Sequence, residues 1–376
     1  HMDDAIYADE SIYEYPMQQG GGNDGRPYSF GRPSSGGSKA AYPCKSYGQG
    51  RINPAYFYGV FDPNDMRRDV SITMTGSNGK GVEKLIPFVP NSKAEGGGLT
   101  LNKWDENRQA NPWVAAQRKS GINGPYMRMS EVYLGYAEVC AALGDVVTGK
   151  QYLKTVRERS FPQGLANTDA FIASFGNDLV RAIIEERGFE YAGEGDRRWT
   201  LIRSGYLPED IKRIKDMTKA MMDGLATKGY YEFENGNIIS AYIWTKLVDA
   251  KTIYGHRLTA QCPTDKVNDP VLYPGWRGQK DNWEEMGLNY GSSTPATNLA
   301  IKGLFEIVSE EEAASLESQG YAKVNWGIDL VDYRDEYDKY LFWDYDYVSA
   351  PIYLWPFTPN VMAAGGFTNG YGFKQE

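Results

Sequence analysis

The sequence predicts a fold of paired helices that carry a loop-rich lobe with short β-hairpins. Two patterns carry that prediction. Apolar residues recur at steps of three and four between residues 126 and 225, whereas stretches rich in glycine and aromatic residues, without helical period, fill much of the remainder. At 376 residues the chain has ample apolar surface to bury and needs neither disulfide nor metal to fold.

The elements follow in order. Residues 1–125 form a loop-rich segment: "GGGNDGRPYSFGRPSSGGSKAAYPCKSYGQG" and "NSKAEGGGLTL" are dense in turn formers, broken by strand-like "SIYEYP" and "RDVSITM". Residues 126–207 are read as helical hairpins. In "PYMRMSEVYLGYAEVCAALGD" one stripe holds Met129, Val132, Tyr133, Tyr136, Ala137 and Cys140, with Pro125 before it and Gly144 closing it. Asp145 caps the next helix, where Leu153 and Val156 share a face. Asn177 is the expected cap of "DLVRAIIEERGFEYA", whose stripe is Val180, Ile183, Ile184, Arg187 and Tyr191.

Residues 208–376 form the third part. Pro208 opens a helix with Ile211, Ile214, Met217, Thr218, Met221, Met222 and Leu225 inward. Asn235-Gly236, between two β-rich runs, predicts a hairpin with a two-residue turn. Further helices are expected around "STPATNLAIKGLFEIVS" and at the acidic "SEEEAASLESQG", and the end "PIYLWPFTPNVMAAGGFTNGYGF" reads as extended.

Composition narrows function. A net charge of -9 repels a phosphate backbone, so nucleic acid is not an expected partner. Cys44, Cys140 and Cys262 lie far apart without a CxxC, which argues neither a zinc site nor a disulfide framework. No segment approaches the roughly 20 uninterrupted apolar residues of a membrane-spanning helix. His1-Met2 reads as a cloning remnant.

The densest charge lies in "RAIIEERGFEYAGEGDRRWTLIRSG". Glu186, Glu190 and Glu194 fall four apart, and Arg187, Arg197, Arg198 and Arg203 are close enough in sequence to pair with such a row. A carboxylate beside arginines is driven ionised and makes a poor general acid, so the expectation is a structural ion-pair cluster pinning this helix to the one after Pro208. His256 is the only histidine outside the remnant, and GxSxG, HExxH and a phosphate-binding glycine loop are absent from the sequence. No enzyme is therefore expected. Paired carboxylates in "DYRDEYDKYLFWDYDY" keep a glycoside hydrolase as the catalytic alternative. No cofactor or metal is expected. Asp344 and Asp346 lack the glycine and glutamate offsets of an EF-hand, which leaves calcium as an option only at an irregular site.

Four motifs give the chain a resemblance. "DPNDMRRDVSI" (Asp62 to Ile72), "YMRMSEVYLGYAEVCAALGD" (Tyr126 to Asp145), "AIIEERGFEYAGEGDRRWTLIRSG" (Ala182 to Gly205) and the ending "YLWPFTPNVM" with "TNGYGF" occur in the order and separations of the SusD/RagB family. The chain resembles the carboxyl-terminal portion of these surface nutrient-binding lipoproteins of Gram-negative bacteria. Thr200 departs from the pattern, standing where the family usually has Asp before Leu-x-Arg. The lipid-modified cysteine and helical repeats of the family's amino-terminal half have no counterpart in this sequence.

The resemblance implies a mainly α fold of tetratricopeptide-like helix pairs, an α-α superhelix, supporting an irregular lobe, although "EVYLGYAEV" does not meet the strict repeat consensus. It also implies an outward-facing place on the outer membrane through a lipid anchor that this chain does not carry, and a SusC-like TonB-dependent transporter as partner. The implied task is to hold an oligosaccharide for that transporter; the RagB branch offers a peptide instead.

Sugar rings have weakly apolar C–H faces fringed by hydroxyls, so a glycan site wants rigid aromatic platforms beside amide, carboxylate and guanidinium groups. Loop aromatics with polar neighbours are Tyr47, Tyr56, Tyr58, Trp104, Trp276 and Trp283. In the family the ligand face includes the loop-rich stretch before the helix pairs. That favours Tyr47, Tyr56, Tyr58 and Trp104, with Arg51, Asn53, Asn107 and Arg108 as hydrogen-bonding candidates.

Overall fold

The computed structural model describes residues 10–18, 52–77, 83–86, 98–104, 122–249, 297–332, 334, 353, 357–366 and 368. Before the helical region lie β1 (Ser11–Tyr15), α1 (Pro54–Gly59), α2 (Met66–Ser71), β2 (Ile72–Thr73), β3 (Thr75–Ser77), β4 (Glu83–Leu85), β5 (Thr100–Leu101) and β6 (Gly124–Arg128). Then come α3 (Met129–Ala142), α4 (Val146–Glu158), α5 (Thr168–Ala173), α6 (Leu179–Glu190), α7 (Asp196–Ser204) and α8 (Leu207–Lys228). The described remainder is β7 (Tyr230–Glu232), β8 (Ile238–Ser240), β9 (Tyr242–Asp249), β10 (Thr297–Lys302), α9 (Glu310–Ser318), β11 (Ala322–Asn325), α10 (Gly327–Asp332) and α11 (Pro359–Gly365). The fold is mainly helical with small antiparallel sheets, the class the sequence predicts.

Capping chemistry sets the helix starts. The Asp145 carboxylate accepts from Thr148 N at 3.1 Å and opens α4, while α9 carries a capping box in which Ser309 and Glu312 satisfy each other's backbone. At α6 the cap is Asp178, accepting from Arg181 N at 3.0 Å, and not Asn177. Asn177 instead takes a left-handed φ of 66°, the conformation asparagine tolerates best among residues with a side chain beyond Cβ. Helix α5 is an extra short turn of helix capped by Asn167, with too few residues to show a period.

Helix α6 is the hub. It lies among three hydrophobic clusters, one with Leu134, Leu153 and Val156 of α3 and α4, one with Leu201 and Leu207, and the main core through Phe189. Apart from Val180 every residue of α6 is buried, so a helix with five charged side chains is enclosed on all sides. The main core gathers Phe57, Tyr58 and Phe61 of the α1 region with Met221, Met222 and Leu225 of α8, Ile239, Ile243 and Ile301 of the strands, and Trp326 just after β11.

Several local expectations give way to packing. "RDVSITM" is not one strand: Asp65 caps α2 through Arg67 N, and only Ile72–Thr73 extends, paired with β5. On α3 the buried face is Ser130, Leu134, Ala137 and Cys140, whereas Val132 and Tyr136 stand exposed with Val139 and Leu143. The expected stripe mixes the two rows because it falls between them: the buried residues and the exposed apolar ones occupy different faces of one helix. On α8, Ile211, Ile214 and Met217 are only half-buried, since the helix meets the core mainly through its later turns.

The hairpin around Asn235-Gly236 forms, but with a three-residue loop. Phe233 and Asn237 are joined by a backbone bond of 2.8 Å, and of the loop residues only Gly236 takes positive φ, at 81°. "TNLAIK" is strand β10 and not helix, because it pairs along its whole length with β9, from Thr297 opposite Asp249 to Lys302 opposite Trp244. Non-local pairing overrides its short-range helical pattern here. Near the end, Pro359–Gly365 is helical where extension is expected: Pro359 supplies a pre-set φ in the first turn and Gly366 a left-handed stop.

Candidate functional site

The buried carboxylates of α6 draw cations from elements far away in sequence. Glu186 pairs with Arg67 at 2.7 Å and with Arg157 at 2.8 Å. Glu190 meets Arg67 at 2.9 Å and also binds Arg128 and Arg159. Glu194, one turn beyond the helix, binds Lys103 and lies 3.0 Å from Arg128. Asp65, which caps α2, also orients Arg67 at 2.7 Å, and Glu10 closes the rim on Arg128 at 3.2 Å and Arg159 at 2.8 Å.

A second network lies on another side of α6. Glu185 accepts from Arg197 at 2.8 Å and Arg213 at 3.0 Å, and Asp210 of α8 shares both cations, at 3.0 and 2.7 Å. These bonds tie α6, α7 and α8 together. Gly188 leaves the room they need: a Cβ there would come within 2.6 Å of Arg197 and 2.7 Å of the Tyr56 hydroxyl. Arg187 makes a third, smaller group, pairing with Asp196 at 2.5 Å while its Nε donates to Thr200 Oγ1 at 3.2 Å. Thr200 in turn donates to Asp196 at 2.8 Å, so the hydroxyl bridges the pair instead of adding a charge.

The geometry therefore differs from sequence adjacency. Glu186, Glu190 and Glu194 take their cations from Arg67, Arg128, Arg157, Arg159 and Lys103, whereas Arg187, Arg197 and Arg203 serve other acids. Arg203 binds Glu138 at the surface. The missed arginines sit in "DPNDMRRD", "PYMRMSE" and "VRERS", each beside an element end, which was the available signal. Arg187→Ala is expected to cost about 2–3 kcal/mol, as loss of a charged hydrogen-bonded pair does, read as a lower denaturation midpoint at unchanged m-value.

Electrostatics match an ionic scaffold. Burial alone raises the Glu190 carboxyl, but Arg128, Arg67, Arg159 and Lys103 outweigh it and hold the pKa at about 2. Burial likewise pushes Glu194 and Asp210 up, and it is outweighed by Lys103 and Arg128 for the first and by Arg197 and Arg213 for the second, so both titrate below the ordinary range. The Lys103–Glu194 pair is asymmetric: burial pulls the ammonium of Lys103 down more than Glu194 lifts it. Carboxylates held this way accept hydrogen bonds and do not donate protons near neutral pH.

The ligand candidates that lie within the described residues are packed inward. Tyr58 is fully buried, with its ring edge-on to Phe305 at 5.0 Å and tilted against Trp326. Trp104 is buried with Nε1 3.5 Å from Gly193 O. Tyr56 packs edge-on against Phe57 and Phe61 with Arg197 over its ring, and burial pushes its hydroxyl well up. Asn53 caps α1 through Ala55 N at 2.8 Å and donates to Thr218 at 2.9 Å. Tyr58 belongs to the main core with the half-buried Tyr56 packed against it, while Trp104 and Asn53 are engaged in internal hydrogen bonds. Tyr47, Arg51, Asn107, Arg108, Trp276 and Trp283 lie outside the described residues. Among the described residues the tyrosine and tryptophan rings standing in solvent are Tyr13, Tyr15, Tyr126, Tyr136 and Trp199, none of which loop position alone had singled out.

Comparison with known proteins places this architecture. The family model SusD_RagB, described as the SusD family, matches residues 6–357. A curated relative, the SusD-like protein P25 of Formosa agariphila, is 28% identical over 160 residues, covering 42% of this chain and 26% of that protein. Surface glycan-binding protein A from Bacteroides thetaiotaomicron aligns with a TM-score of 0.41 at 19% identity, covering 55% of this chain and 45% of that one. The same protein in complex with laminarihexaose aligns with a TM-score of 0.38 at 19% identity, covering 53% and 44%. The chain thus spans about a quarter of the curated relative and under half of each of these structures. Among the described residues no helix is long and apolar enough to cross a membrane.

Proposed function

Since this chain belongs to the SusD family, matched from residue 6 to 357, we propose that it binds glycan without catalysis at the outward face of the outer membrane. In this reading it is lipid-anchored in its full-length form and passes oligosaccharide to a SusC-like TonB-dependent transporter. The family match carries the proposal. The buried charge cluster is in keeping with it: its carboxylates are spent on arginines, so this cluster does not supply the protonated carboxyl a glycoside hydrolase needs.

Titration calorimetry against laminarihexaose, maltohexaose, xylohexaose and a set of unfolded peptides tests it. Heat of binding to at least one oligosaccharide, with no new reducing ends after prolonged incubation, is the expected result. Binding to peptides alone supports the peptide-capturing alternative, and release of reducing sugar supports an enzyme; either contradicts the proposal.

A further inference from the structure

The ribbon of β1 and β6 holds two neighbouring rings out in solvent. Tyr13 is 58% exposed and Tyr126 74% exposed, yet they touch, with centroids 6.0 Å apart and planes at 74°. Their placement follows from two irregularities in register. Ser11 faces Arg128 and Tyr13 faces Met127, which leaves Ile12 as an extra residue on β1; Glu14 then faces Pro125, which leaves Tyr126 as the extra residue on β6. A bulge re-aims the side chain it carries, and here it turns Tyr126 onto Tyr13 instead of letting it continue the ladder.

The ribbon is also anchored. Asn123, buried at the base of β6, donates to Glu14 at 2.8 Å and accepts from Met17 N at 2.9 Å. At the other end Arg128 runs from β6 into the buried carboxylates Glu190 and Glu194, and Glu10 just before β1 reaches back to Arg128 and Arg159. The charge knot therefore fixes the strand that displays Tyr126, so little side-chain or backbone freedom is lost when a ligand settles on it.

We propose that the Tyr13–Tyr126 pair is a glycan-stacking site, an assignment that rests on the glycan-binding reading above. Two faces set at a steep angle suit successive pyranose rings of a curved oligosaccharide, whose C–H faces stack on phenol rings. The phenolic hydroxyls offer hydrogen bonds to sugar hydroxyls. Charge complementarity points the same way: Arg128, the arginine of the ribbon itself, is taken up by carboxylates, so the ribbon matches an uncharged ligand and not an acidic peptide.

The test is calorimetry with the oligosaccharide of the panel that the intact chain binds best, comparing wild type, the Tyr13→Ala/Tyr126→Ala double variant, Tyr126→Phe, and Tyr136→Ala as an exposed ring elsewhere. The double variant is expected to keep its melting temperature and lose about tenfold or more in affinity, the scale of one or two lost aromatic contacts. Tyr126→Phe retains most of the binding and Tyr136→Ala all of it. Unchanged affinity in the double variant overturns the assignment and leaves the glycan-binding reading standing. A wild type that binds no glycan overturns both.

Discussion

Arg157→Ala is expected to destabilise the protein by about 3–5 kcal/mol, because it leaves the buried Glu186 with Arg67 as its remaining cation among the described residues. Arg157 is nearly inaccessible, lies 2.8 Å from Glu186, and its guanidinium covers the Phe171 ring at 3.8 Å and the Phe161 ring at 4.8 Å. The substitution therefore removes charge, hydrogen bonding and packing together. Arg203→Ala is the contrast within the same set of ion pairs. Its pair with Glu138 is exposed, where solvent screening leaves about 1 kcal/mol or less. Urea denaturation of the two variants side by side reads the difference as a large and a negligible shift of midpoint.

Glu190→Gln is the second large effect, and it carries a pH signature. The neutral isostere leaves Arg67, Arg128 and Arg159 converging on a group without charge, for an expected loss of about 3–5 kcal/mol at neutral pH. Glu190 is held at about 2 against an ordinary 4.5. A depressed carboxylate stabilises fully above its unfolded value and loses that stabilisation as pH falls through the folded one. The wild type should therefore lose about 3 kcal/mol from this group between pH 4.5 and 2, the size set by the gap between the two values. The variant should show a flatter acid limb over the same interval. A parallel pH dependence in both proteins contradicts the assignment of Glu190 as a principal ionised member of the knot.

What could be read from the sequence divides along the distance over which it was decided. The α3–α4 pair, the Asp145 cap and the Ser309–Glu312 box are settled within four residues, and they form where periodicity and capping place them. Strand β10 has a helical local pattern, and only its pairing with β9, some fifty residues earlier in the chain, makes it a strand. The ion pairs show the same divide. The spacing of Glu186, Glu190 and Glu194 is visible, but their cations come from positions as far away as Arg67 and Lys103, and adjacency pointed to Arg187, Arg197 and Arg203 instead. For aromatic residues the sequence gives supply and not exposure: Tyr58 in "PAYFYG" is buried by a core assembled from α1, α8 and the strands, whereas Tyr126 is turned outward by a bulge that only the register reveals.

The arginine–carboxylate knot around α6 builds the fold, and in the proposed function recognition lies on rings outside it. One comparison tests this most directly: wild type and Glu190→Gln, both assayed below their melting transitions for oligosaccharide binding and for reducing-sugar release, alongside their melting curves. The prediction is a lowered melting temperature with glycan affinity preserved in the folded variant and no sugar released by either protein. Sugar release by the wild type, abolished in Glu190→Gln at an unchanged melting temperature, would contradict it.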